Sequence, residues 1–152
     1  MIVIKDQLLS RCEAWVDDRL SHLQTELTSL KQSLQDETKS SVGDKYETTR
    51  AMTHLDMEKL SGQLLETEKM RQVLSKIRSG RANVENGADL GTLVETDHDT
   101  YFLSISMGNT SVDGKNYVCL SPVSPVGTLL IGKKAGEILR FGSRTLKIMG
   151  IS

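Results

Sequence analysis

A polar run, Asp36-Glu-Thr-Lys-Ser-Ser-Val-Gly-Asp44, divides two apolar patterns that mirror each other. Before it, Val16, Leu20, Leu23, Leu27, Leu30 and Leu34 alternate steps of four and three, the spacing of a coiled-coil seam. After it, Thr49, Thr53, Met57, Leu60, Leu64 and Thr67 repeat the rhythm. Pairing the two sets from the break outward gives position numbers that always sum to about 83 or 84, as in an antiparallel hairpin with its apex near Ser41 and Val42. Two arms of roughly 35 residues, each rising about 1.5 Å per residue, predict a hairpin some 50 Å long with the polar run at its tip.

Helix one is expected from Ile4 to Asp36, uninterrupted by Gly or Pro, and helix two from Asp44 or Tyr46 to Ser79. Leu8, Leu9, Cys12 and Trp15 lie slightly out of phase with the later heptads, and Trp15 reads as a packing anchor near the hairpin base. Threonines thin the second half of the seam, which suits an intramolecular hairpin better than a dimer, so a monomer is expected.

Of the 152 residues, the hairpin takes 1–79, with its tip at 36–45. The turn-rich stretch 80–89 reads as a linker, and 90–152 as a second, small domain. Strand-prone segments there run over Thr92–Glu95, Tyr101–Ser106, Tyr117–Leu120, Ile138–Phe141 and Thr145–Ile151, with turns expected at Asp97–Asp99, Gly108–Gly114 and Gly142–Ser143. Ser124 before Pro125 is a good helix start, so one short helix is predicted over Pro125–Ile131. The fold class is therefore α+β: an antiparallel helical hairpin followed by a small antiparallel β-sheet domain carrying one short helix.

A formal net charge of -1 gives no bulk field toward nucleic acid or anionic membrane. Cys12 and Cys119 have no CxxC or ligand cluster near them, so neither a disulfide framework nor a zinc site is expected. Reduced thiols, no secretory h-region and no membrane-length apolar run predict a soluble cytoplasmic protein. His22, His54 and His98 are dispersed without ligand spacing.

Ser124-Pro-Val, then Leu130-Ile-Gly-Lys133 and Gly136-Glu137, resembles the signature of the carboxy-terminal domain of the bacterial Gre transcript-cleavage factors. A coiled-coil hairpin before such a domain is that family's layout, and the likeness spans nearly the whole chain. The resemblance implies an FKBP-like topology for 90–152 and RNA polymerase as the partner, bound at its secondary channel. Nucleic acid would be met only inside that complex. Ser124, Pro125, Leu130, Ile131, Gly132 and Lys133 would belong to the docking surface. Tip carboxylates would help retain a Mg²⁺ ion shared with the polymerase, and the chain would hold no cofactor by itself. It would be an accessory factor rather than an enzyme.

At the tip, Glu37-Thr-Lys39 matches the family's first acid, spacer and lysine, and Tyr46 matches the aromatic that follows. Two extra residues intervene, and the family's second acid falls on Ser40 or Val42, neither a carboxylate. Asp44 is the nearest acid that can substitute, with Asp36 in reserve. Glu37 and Asp44 are thus the expected Mg²⁺ ligands in the complex, and Lys39 and Lys45 the expected neutralising or phosphate-contacting cations. Asp44 has a competing role, because Asp44-Lys-Tyr-Glu47 has capping-box spacing. Asp36 and Glu37 sit where a helix C-terminus disfavours anions. Two alternatives remain: a channel-binding regulator that does not promote cleavage, and a coiled-coil adaptor unrelated to transcription. Lys133, Lys134, Arg140, Arg144 and Lys147 form a basic group that reads either as a contact for an acidic partner or as solvated edge protection. The second half offers few aromatics, so prolyl isomerisation is not expected.

Overall fold

The computed structural model describes residues 2–40, 44–80 and 83–152, with side chains described over 3–36, 47–80 and 83–152. Its elements are α1 (Ile2–Ser40), α2 (Asp44–Ser79), β1 (Leu93–Thr96), β2 (Thr100–Leu103), β3 (Gly108–Val112), β4 (Lys115–Leu120), α3 (Pro125–Leu130), β5 (Ile138–Phe141) and β6 (Arg144–Ile151). Backbone packing separates two compact units. One is Val16–Arg71; the other combines Met1–Trp15 with Gln72–Ser152.

The helical unit follows the heptads. On α1, Val16, Leu20 and Leu23 are buried and Leu27, Leu30 and Leu34 half-buried. On α2, Thr53, Met57, Leu60 and Leu64 are half-buried and Thr67 is buried, whereas Thr49 is exposed. Burying a leucine fully stabilises by roughly 1.5 to 3 kcal/mol, so the strongest part of the seam runs from Val16 to Leu23. Thr67 meets its polar needs inside the pair: its hydroxyl donates to the Gln63 carbonyl at 2.7 Å and accepts from Arg19 Nε at 3.2 Å. Arg71 closes on Asp17 across the two helices, an exposed ion pair that adds little beside the apolar seam.

Helix α1 departs from expectation at its far end. It does not stop at Asp36 but continues to Ser40, so Asp36 and Glu37 lie within the helix. The reason is local: Glu37-Thr-Lys-Ser40 is polar but holds no helix breaker, and Gly43 is the first residue with a strong preference against continuing.

The second unit is built on a six-stranded sheet in the order β3-β4-β2-β1-β6-β5. Neighbours are antiparallel except β2 and β4, which run parallel with Phe102 opposite Cys119. The sheet is thus mostly antiparallel, as the sequence predicts, and its one parallel pair follows from a strand lying where a turn is expected. Gly108–Val112 is β3, joined to β4 by the two residues Asp113 and Gly114, both at positive φ. A two-residue Asp-Gly loop with two left-handed residues matches the twist of a hairpin. Since β3 returns the chain before β4 begins, β4 must run in the direction of β2.

One face of the sheet packs Val94, Tyr101, Leu103, Leu120, Leu139, Leu146 and Ile148 against Leu130 of α3 and Ala88. In the same unit Leu8, Leu9, Cys12 and Leu74 of the helix ends are buried, and Cys12 meets Cys119 of β4. Trp15 is half-buried on α1. Arg78 gathers Asp6, Ser10 and Glu13 of α1, with Glu13 Oε1 at 2.5 Å and Ser10 Oγ at 3.3 Å.

Candidate functional site

The two parts of the candidate site lie in different units. At the hairpin end, Asp36 is exposed, and Gln32 Nε2 donates to its Oδ1 at 3.4 Å, one helical turn away. The side chains of Glu37, Lys39, Asp44, Lys45 and Tyr46 lie outside the described residues, and with them the expected Mg²⁺ ligands and the Asp44–Glu47 capping box. Backbone placement puts Glu37 and Lys39 in the last turn of α1 and Asp44 at the first residue of α2. Among the described residues no three His, Cys, Asp or Glu side chains gather as a metal site.

The signature segment Ser124–Glu137 is fully described, and most of its unusual residues serve the backbone. Ser124 is the N-cap of α3, accepting from Gly127 N at 3.1 Å while its hydroxyl donates to Ser121 O at 2.6 Å. Pro125 follows at the first helical position, where its missing amide costs nothing. Gly127 is held by space: a β-carbon there would stand 2.1 Å from Ser121 O. Leu130 is fully buried in the core. Gly132, at φ +79, turns the chain so that its amide donates to Ala88 O and Lys133 O accepts from Ala88 N, each at 2.8 Å. Glu137 Oε2 then accepts from Lys134 N at 2.6 Å, closing the turn into β5.

The segment and the residue before it leave both apolar and polar side chains to solvent. Val123 is 85% exposed and Ile131 38%; Pro125 is exposed and Lys133 half-buried. Of the six residues expected at a docking surface, Pro125, Ile131 and Lys133 therefore offer side chains outward. Ser124 and Gly132 shape the loop beneath them, and Leu130 anchors it. Val123 was not foreseen, because a lone valine between a proline and a serine carries no pattern. In the basic group, Lys134, Arg140, Arg144 and Lys147 are exposed. Arg140 and Lys147 share a sheet face with exposed Ile138, since Ile138 pairs with Lys147 and Arg140 with Thr145.

The same unit contains a cleft of about 870 Å³ lined by Lys5, Leu9, Arg78, Asp89, Leu90 and Phe102, among others. Burial there pulls the Lys5 ammonium below its usual pKa. No sequence pattern announced this cleft, because its walls come from four separate stretches of the chain. No helix among the described residues is long and apolar enough to cross a membrane.

No family model matches the sequence, and no curated protein matches it. Among solved structures the chain is similar to the transcription factor Gfh1, with 18% sequence identity, coverage of 91% of this chain and 92% of that chain, and a TM-score of 0.35.

Proposed function

We propose that this chain is a regulatory factor of RNA polymerase. It docks through the Val123, Pro125 and Ile131 surface, and it brings the acids of the hairpin tip to the polymerase secondary channel. The observation that carries the reading is the signature segment: Ser124 to Glu137 folds as one capped helix and turn that buries Gly127 and Leu130 and leaves Pro125 and Ile131 exposed. Exposed apolar side chains in a chain segment that also carries cations are suited to a protein partner. Glu37 and Asp44 are the acids proposed to assist hydrolysis of displaced RNA, with Asp36 adding charge. Mg²⁺ retained by the polymerase would polarise the phosphate and activate water.

A second reading is favoured by the tip. The family's second acid falls on Ser40 or Val42 here, and α1 continues as helix past Asp36. On this reading the tip occupies the channel and tunes synthesis without cleavage.

The test has two stages. Core polymerase on a column should retain the protein, and Val123→Asp with Ile131→Asp should release it at least tenfold more readily; a flow-through identical to that from a blank column sinks both readings and favours an adaptor unrelated to transcription. Backtracked elongation complexes with Mg²⁺ then separate the two. Shortened RNA that disappears with Glu37→Ala or Asp44→Ala supports assisted cleavage, and slowed synthesis with intact RNA supports occupancy alone.

A further inference from the structure

Cys12 on α1 and Cys119 on β4 are 107 positions apart in sequence, yet their sulfurs lie 3.8 Å apart. Both are free thiols, 0% and 1% exposed. Cys12 Sγ also stands 3.9 Å from Ser104 Oγ, and the Ser104 hydroxyl donates to Phe102 O at 3.4 Å. Among the described residues no third metal-ligating side chain joins them, so the pair is a dithiol rather than part of a metal cluster.

Two buried cysteines can serve as small hydrophobes. This pair is also chemically asymmetric. The hydrogen bond shared with Cys119 pulls the Cys12 thiol below its ordinary pKa, outweighing burial, and Ser104 adds to the effect. The same bond and burial push Cys119 up. Cys12 is therefore the sulfur that gives up its proton first, the property that makes a thiol nucleophilic.

We propose that Cys12 and Cys119 are an oxidative modification site, forming a reversible intramolecular disulfide when the protein meets a hydroperoxide. Cys12, as thiolate, attacks one oxygen of hydrogen peroxide; an S–O bond forms and the O–O bond breaks. Hydroxide leaves and takes up the proton Cys12 released, giving water and a Cys12 sulfenic acid. The Cys119 thiol then attacks the Cys12 sulfur, losing its proton as it does so; the S–S bond forms, the S–O bond breaks, and the departing hydroxide leaves as water with the Cys119 proton. Two thiols and one peroxide give one disulfide and two waters: the sulfurs are oxidised and the peroxide oxygens reduced. The sulfurs need only close from 3.8 Å to about 2.05 Å. Burial favours this outcome over others, because a water-sized oxidant reaches the pair through local opening whereas a bulky thiol or a second chain does not.

The experiment treats the full chain with hydrogen peroxide at neutral pH, then alkylates it under denaturing conditions and measures intact mass. The expected result is loss of two hydrogens with no alkylation, one Cys12–Cys119 crosslinked peptide, and recovery of two alkylatable thiols after dithiothreitol. Closing so long a loop should also raise the Tm by on the order of 10 °C. Two alkylatable thiols surviving treatment, oxygen adducts without the crosslink, or disulfide-linked dimers would each overturn the proposal. In Cys119→Ala a dimedone adduct should appear on Cys12, and an adduct on Cys119 in Cys12→Ala would reverse the assigned roles. The wild-type mass change decides the matter even if either variant fails to fold.

Discussion

The amide of Ala88 donates to the carbonyl of Lys133 at 2.8 Å, and the carbonyl of Ala88 accepts from Gly132 at the same distance. Two reciprocal bonds strap the stretch after α2 to the turn that follows α3. Gly87, just before the strap, sits at φ +90, and a β-carbon there would lie 2.5 Å from Gly132 O and 2.7 Å from Lys133 O. Both obstacles are backbone, which cannot swing aside as a side chain would. Gly87→Ala should therefore cost about 2 to 4 kcal/mol, read as a lower urea midpoint at unchanged m-value.

The α3 cap allows a graded comparison. Ser124→Ala removes one acceptor for Gly127 N and should cost about 1 kcal/mol. Gly127→Ala forces its new carbon against Ser121 O and should cost more, about 3 kcal/mol. If polymerase binding depends on the Val123, Pro125 and Ile131 surface, retention on the column should fall in the same order.

Arg78 bridges two carboxylates and one hydroxyl of α1 while its own side chain is 42% exposed. Solvent screens such pairs, so Arg78→Ala should cost only about 1 kcal/mol, and the loss should shrink in ~1 M salt. Arg78→Lys keeps the charge but lacks the planar fork, and should recover no more than half of the difference. Chemical denaturation at low and high salt checks both.

Alkaline conditions should weaken the fold through Cys119. The hydrogen bond with Cys12 and burial hold its thiol above the usual value of 9.0, so the unfolded chain releases this proton at lower pH than the folded one. Above pH 9 the unfolded state binds fewer protons, and stability falls as pH rises, by at most about 1.4 kcal/mol per pH unit. Below pH 9 this contribution is fully present. Tyr101, raised mainly by burial from 10.0, adds a similar loss higher up. Urea titrations at pH 8 and pH 10 should show the decline, and replacing both cysteines by alanine should flatten its lower part.

The seam was readable because its spacing reports burial directly: Val16 to Leu34 and Thr53 to Thr67 face inward at the positions the heptads predict. The α3 start was equally legible, since Ser124-Pro125 is a local signal with a local cause. Strand β3 was not, because Gly108-Asn-Thr-Ser-Val112 is polar and lies on an edge, and the Asp113-Gly114 turn was absorbed into a longer loop. At the tip, composition exposed the acids, but helix continuation past Asp36 depended on weak preferences that run either way. The Ala88 strap, the Lys5 cleft and the cysteine pair were invisible for one reason. Each joins residues far apart in the chain, and no local periodicity records such a meeting.

The compact unit that holds the sheet is assembled from the first fifteen residues and everything after Arg71. Leu8, Leu9 and Cys12 are thus synthesised well before Leu74 and strand β4, with which they share a compact unit. Completing this unit therefore requires contacts of long sequence separation, the kind that slows folding.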